Sequence, residues 1–147
     1  MKYTNEIEID LPVEKVIALF DNPDNMSKWQ PELLSFEHIS GEPGQVGAKS
    51  KLLYQMGKRK IEMIETITKR DLPQEFAGTY EAKGVKNWIN NRFVETTPDK
   101  TKWISDNEFK FSGFMSVMGP LMGSKAFSKQ SMKYMVQFKE FAESVEP

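Results

Sequence analysis

Apolar positions change their spacing along this 147-residue chain, and each change marks an element. Residues 2–9, KYTNEIEI, read as a strand. Pro12 suits the first turn of a helix, where its missing N–H costs nothing. Val13, Val16, Ile17 and Phe20 follow at i, i+3, i+4 and i+7, a single apolar stripe. Asn22-Pro23-Asp24 stops that helix and opens a second, short one carrying Met26 and Trp29, which Pro31 ends. The period then becomes two. Strands are predicted over 33–40, 48–56, 61–70, 75–83, 86–97 and 100–111. Their punctuation is Gly41-Glu42-Pro43-Gly44, a hairpin tip at 57–60, Leu72-Pro73 and Pro98-Asp99. Ser50, Leu52, Tyr54 and Met56 share one face of their strand, and Phe76, Gly78, Tyr80 and Ala82 share one face of theirs. From Phe114 the pattern turns helical, and Gly119-Pro120 predicts a kink or restart. Beyond it Phe127, Tyr134, Met135, Phe138, Phe141 and Ala142 form one stripe, with Lys129, Lys133, Lys139 and Glu140 facing away. The predicted order is β-α-α-β6-α in one domain spanning 1–147.

The last hairpin can be registered from charge. A two-residue loop at Pro98-Asp99 sets Glu95 opposite Lys102, Val94 opposite Trp103, Arg92 opposite Ser105, Asn90 opposite Asn107 and Trp88 opposite Phe109. The face holding Trp88, Asn90, Arg92, Val94, Trp103, Ser105, Asn107, Phe109 and Phe111 is then the inner one. The other is mostly charge and amide (Asn87, Asn91, Glu95, Lys102, Asp106, Glu108, Lys110), with Ile89, Phe93 and Ile104 interspersed. A one-residue change in the loop flips one strand. Asn90, Arg92 and Asn107 among aromatics need partners, because a buried unpaired amide costs roughly 1–3 kcal/mol. In one reading Arg92 pairs with an inward Glu65 and the asparagines hold water. In the other, these groups line a pocket and orient the polar end of a ligand.

Composition narrows the chemistry. Twenty basic side chains against 21 acidic ones leave no whole-molecule field to recruit nucleic acid or anionic membrane. The basic tip Lys58-Arg59-Lys60 has no interleaved aromatics for base stacking, so nucleic acid is not an expected partner. Without cysteine there is no disulfide frame, thiolate nucleophile or Cys-based metal site. His38, the one histidine, reads as structural or exposed; no metal, cofactor, Ser–His pair or phosphate loop is expected. No signal-peptide pattern and no run of about 20 apolar residues is present, so the expected compartment is the cytoplasm and no membrane span is expected. The sequon Asn25-Met26-Ser27 is then a chance match. Nine methionines and ten phenylalanines suit an adaptable apolar interior.

Ile9, Pro12, Val16 and Phe20, then Trp29-Gln30-Pro31, Gly41-Glu42-Pro43-Gly44-Gln45-Val46-Gly47, Asp71-Leu72-Pro73 and Thr101-Lys102-Trp103 occur in an order that resembles the START-like superfamily. This superfamily, also labelled SRPBCC, is birch-pollen-allergen-like and includes polyketide cyclases/dehydratases and lipid transporters. The resemblance implies an α+β helix-grip fold, a curved antiparallel sheet wrapped around a long C-terminal helix with a hollow interior. It also implies binding or transport of a small apolar or aromatic molecule. With the register above, the expected ligand-binding residues are Tyr80, Trp88, Asn90, Arg92, Trp103, Asn107, Phe109, Met118, Met122 and Phe127. A cyclase/dehydratase-like enzyme using an interior carboxylate, Glu65 if its strand faces inward, is the alternative. A protein-interaction module is another, because fold alone does not fix function. Monomer and homodimer are both compatible with the sequence.

Overall fold

The alternating segments pair into one seven-stranded antiparallel sheet in the computed structural model, which describes residues 1–145. The elements are β1 (Lys2–Ile9), α1 (Val13–Phe20), a 3-10 turn (Pro23–Asn25) running into α2 (Met26–Trp29), β2 (Leu33–Ser40), β3 (Lys49–Met56), β4 (Arg59–Asp71), β5 (Glu75–Ala82), β6 (Val85–Thr97), β7 (Lys100–Phe111) and α3 (Met115–Ser144). Strand order is β1-β7-β6-β5-β4-β3-β2, so β1 closes against the last strand and β2 is the other edge. The predicted helix-grip architecture is the observed one.

Local chemistry explains the joints. Pro12 precedes α1, Glu14 occupies its acidic first turn, and the N–H of Asp21 closes its last turn on Ile17 O. Asn22 Oδ1 accepts from the N–H of Asp24 and caps the following turn. Arg70, near the end of β4, grips both carboxylate oxygens of Asp21 at 2.8 and 2.6 Å. That bidentate pair fastens the helical corner to the sheet.

The core lies where α3 crosses the sheet near β1 and β7. Ile9, Val16, Trp29, Phe93, Trp103, Met135, Phe138 and Ala142 are buried together. A second apolar cluster, Leu33, Leu52 and Tyr54, sits on the β2–β3 side with Met26, Phe36, Met56 and Met63 packed against it. On β1, Tyr3 and Asn5 pin α3: the Tyr3 hydroxyl donates to Phe127 O at 3.2 Å, and Asn5 Nδ2 donates to Ser128 O at 2.9 Å.

The long helix breaks at Gly123, not at Gly119-Pro120. Gly123 adopts φ 78° and ψ 155°, a conformation essentially reserved for glycine. Residues 115–122 therefore form a separate short segment in front of residues 124–144, and Pro120 lies inside it. Among the described residues no helix is long and apolar enough to cross a membrane.

Candidate functional site

The hairpin that was to supply the site keeps its two-residue loop but carries a bulge. Thr97 pairs with Lys100, and then Glu95 pairs with Thr101, leaving Thr96 unpaired. One extra residue turns every β6 side chain over relative to β7. Phe93 now faces Trp103, Asn91 faces Ser105, Ile89 faces Asn107 and Asn87 faces Phe109. The expectation for β7 stands, with Thr101, Trp103, Ser105 and Asn107 buried on the inner face. The expectation for β6 is reversed: Trp88, Asn90, Arg92 and Val94 are on the convex face, and Asn87, Ile89, Asn91 and Phe93 are on the concave one.

Arg92 accordingly meets Asp106 on β7, not Glu65, at 3.0 Å with both side chains about two-fifths exposed. Asn90 donates to Glu75, and Trp88 lies under Lys86 Nζ at 4.8 Å. Trp88 and Asn90 do line a depression of about 630 Å³, but it is on the convex side. An ion pair so exposed contributes about 0–1 kcal/mol. Arg92→Met is therefore expected to shift the melting temperature by no more than about 4 °C, read by circular dichroism.

The other expected residues scatter. Trp103 is part of the core, its indole N–H donating to Asn91 Oδ1 at 2.9 Å. Phe109 and Phe127 meet at a tilt, ring centroids 4.9 Å apart, within an aromatic cluster that also holds Tyr3 and Phe111. Met118 and Met122 are exposed on the segment before Gly123. Asn107 is buried on the concave face, and its Oδ1 has no partner.

What the register does bring together is a polar row across the middle of the sheet. His38, Ser50, Glu65, Tyr80 and Asn87 are successive cross-strand neighbours from β2 to β6, and Phe109 ends the row on β7. At its centre the Tyr80 hydroxyl donates to Glu65 Oε2 at 2.7 Å. Burial raises the Glu65 carboxyl above its usual value, against the lowering effect of that hydrogen bond. Burial raises Tyr80 as well, and Glu65 beside it adds to the rise. No cation is paired with Glu65 among the described residues. When protonated, the Glu65 carboxyl can both donate and accept. Tyr54, four residues along from Ser50 on the same face, donates to Gln30 Oε1 at 2.6 Å and is likewise raised by burial.

In the next row, Gly78 lies between Ile67 and Ile89, with Asn107 and Tyr3 beyond. A glycine at that point leaves the concave floor without a side chain, and a Cβ there would meet Thr66 O at 3.0 Å. The main backbone approaches of α3 are to β1, β7 and α2. Among the described residues no group of three potential metal ligands is assembled.

Sequence reasoning reached Tyr80 and conditionally Glu65, and grouped Ser50 with Tyr54, but it missed Asn87 and Asn91. Those two were assigned outward because the bulge at Thr96 leaves no mark in the alternation.

The family profile described as polyketide cyclase / dehydrase and lipid transport matches residues 1–137. A START superfamily protein from Mycobacterium smegmatis superposes with a TM-score of 0.82 at 13% identity, covering 99% of both chains. The Zhui aromatase/cyclase from Streptomyces sp. R1128 gives 0.79 at 11% identity, over 97% of this chain and 93% of that one. A truncated norcoclaurine synthase from Thalictrum flavum gives 0.75 at 14% identity, over 99% and 95%. At these identities the likeness is one of fold. A search of curated proteins found no match.

Proposed function

This chain belongs to the polyketide cyclase/dehydrase and lipid-transport family, and from that premise we propose that its concave face binds or carries a small apolar or aromatic molecule with one polar oxygen. Glu65 and Tyr80 receive that oxygen. The observation that carries the reading is the 2.7 Å Tyr80–Glu65 hydrogen bond, at the centre of the polar row on the concave face, with Glu65 buried and no cation paired to it among the described residues. A few placed polar groups between apolar walls are how such sites fix ligand orientation. The Asn107 amide oxygen, buried and unpartnered, is a second acceptor on the same face. Phe109, Phe127 and Ile89 supply the apolar walls, and the 1–147 chain acts as one binding unit.

The test is a fluorescence titration with a naphthol, a flat aromatic carrying one hydroxyl. Tyr80→Phe and Glu65→Leu each remove part of a hydrogen bond to the probe and are expected to weaken it by roughly fivefold or more. Ile89→Trp, which fills the concavity, should abolish binding, and Asn107→Leu should have the mildest effect. Equal affinity in all four variants would place the probe elsewhere and end this assignment. Native mass spectrometry of freshly purified protein looks for the natural occupant.

A second reading is favoured by the same pair. Glu65, whose carboxyl burial holds above its usual value beside Tyr80, is a group of the kind a cyclase or dehydratase uses as a proton donor. Turnover of a polyketide-like substrate lost in Glu65→Gln, with affinity retained, would establish catalysis over carriage.

A further inference from the structure

The segment between the last strand and the long helix is turned inside out. Residues 111–124 carry no charge, the longest such stretch at this end of the chain, with Lys110 before it and Lys125 after it. Within the short helix 115–122 and the residue ahead of it, Phe114 is 77% exposed, Val117 61% and Leu121 74%. These three fall at i, i+3 and i+7, along one side of the helix. The opposite side is the one that packs. Gly119 is buried against Phe111, where a Cβ would come within 2.5 Å of the ring, and Met115 sits on the turn at Gly84. The segment thus hides its glycine and displays its phenylalanine and leucine. Gly113, at φ 58°, and Gly123, at φ 78°, bracket it.

Charge partitions the same way. From Phe109 to Lys139 there are five lysines and no acidic residue. The remainder holds 15 basic and 21 acidic side chains, so a chain of net charge −1 divides into +5 here and −6 elsewhere. Lys133 and Lys139 are engaged by Glu32 and Glu143, whereas Lys110, Lys125 and Lys129 have no ion-pair partner among the described residues. The nearby acids on the outer sheet face, Glu81 and Glu108, are met by Lys86 and Lys2. Beyond Gly123 an open groove of about 720 Å³ begins at Ser124 and continues the basic surface past Lys125 and Lys129, as far as Lys133, which Glu32 engages, and the acidic Glu140.

We infer that residues 114–122 are a docking surface for an anionic phospholipid bilayer, with Phe114, Val117 and Leu121 entering the interface and the flanking lysines meeting the headgroups. An exposed apolar stripe rimmed by lysines matches both layers of such a surface, apolar below and anionic above. A second copy of this chain is a poorer occupant, because apposing two such stripes brings two lysine rims together. The inference needs neither the ligand nor the Glu65–Tyr80 assignment.

Sedimentation of the whole protein with vesicles of phosphatidylcholine alone, and of phosphatidylcholine containing phosphatidylserine, tests it. Binding is expected to the anionic vesicles and to fall with added salt. Leu121→Asp, on an exposed position that leaves the core intact, should weaken binding roughly tenfold or more. Lys125→Gln and Lys129→Gln should each cost about fivefold. Circular dichroism confirms that the variants fold. The inference is overturned if the wild type stays in solution with anionic vesicles, or if Leu121→Asp binds as well as the wild type. It is equally overturned if binding ignores lipid charge and the lysine variants. A concentration-dependent dimer dissolved by Leu121→Asp, without vesicle binding, would assign the surface to a second copy instead.

Discussion

Phe138→Ala is expected to lower the unfolding free energy by about 3–5 kcal/mol, a large fraction of what holds a domain of this size together. Phe138 is completely buried, and its ring meets Trp29 at 5.2 Å, Trp103 at 5.4 Å and Phe20 at 5.9 Å, mostly edge-to-face. Those partners come from α2, β7 and α1, so no single element can shift to close the hole. The truncated site forfeits transfer energy, the aromatic pairings and the contacts lining the cavity. A urea titration should show a lower midpoint at unchanged slope. A loss below about 1 kcal/mol would mean that α3 is not a principal part of the core.

Glu65→Gln is expected to stabilise the empty protein at neutral pH and to flatten its pH dependence. The folded Glu65 carboxyl titrates above the unfolded value of 4.5 because it is buried. Between that value and its raised folded value, the native state holds a proton that the unfolded chain has released. Stability therefore falls as pH rises through this window and then levels off. Below it both states are protonated and the contribution vanishes. Glutamine keeps an acceptor for the Tyr80 hydroxyl but cannot ionise. At alkaline pH the gain should be about 1–3 kcal/mol, the desolvation cost of the charge less what its hydrogen bond returns. Melting curves of the two proteins should converge near pH 4 and separate above it. Parallel curves across the whole range would show that Glu65 is not desolvated.

The elements were legible because each carries its own local signal. Pro12, the 3.6-residue stripe from Val13 to Phe20, and the alternations ended by glycine or proline reproduce the observed strands and helices to within a few residues. On β7 the inner face was also legible, since Lys102, Asp106, Glu108 and Lys110 fall at every second position. The face of β6 was not. Its true inner set, Asn87, Ile89, Asn91 and Phe93, is no more apolar than its outer set with Trp88 and Val94, so pattern could not arbitrate. The deciding fact, an unpaired Thr96, is set by pairing across the hairpin and not by any local propensity. The helix break was misplaced for a related reason. Pro120 is the louder signal, but residues 115–122 accommodate it, while the unusual backbone angles fall to Gly123. Of the candidate site, Tyr80 was read from the β5 alternation and Asn107 from β7. Pairing Tyr80 with Glu65 required the β4–β5 register, which spacing along the chain does not reveal.

The bulge at Thr96 also bears on how this chain can change in length. With Thr97 on Lys100 and Glu95 on Thr101, excising Thr96 would leave a regular ladder in which every other β6 residue keeps its present partner. The local loss would be the hydrogen bond from Thr96 Oγ1 to Lys100 O and the extra twist that a bulge gives the strand. Excising any one residue from 86 to 94 has the opposite result, since everything on one side of the cut must exchange core for solvent. For a lineage that diverges by insertion and deletion as well as by substitution, position 96 is where the hairpin can lose a residue and still keep Phe93 against Trp103.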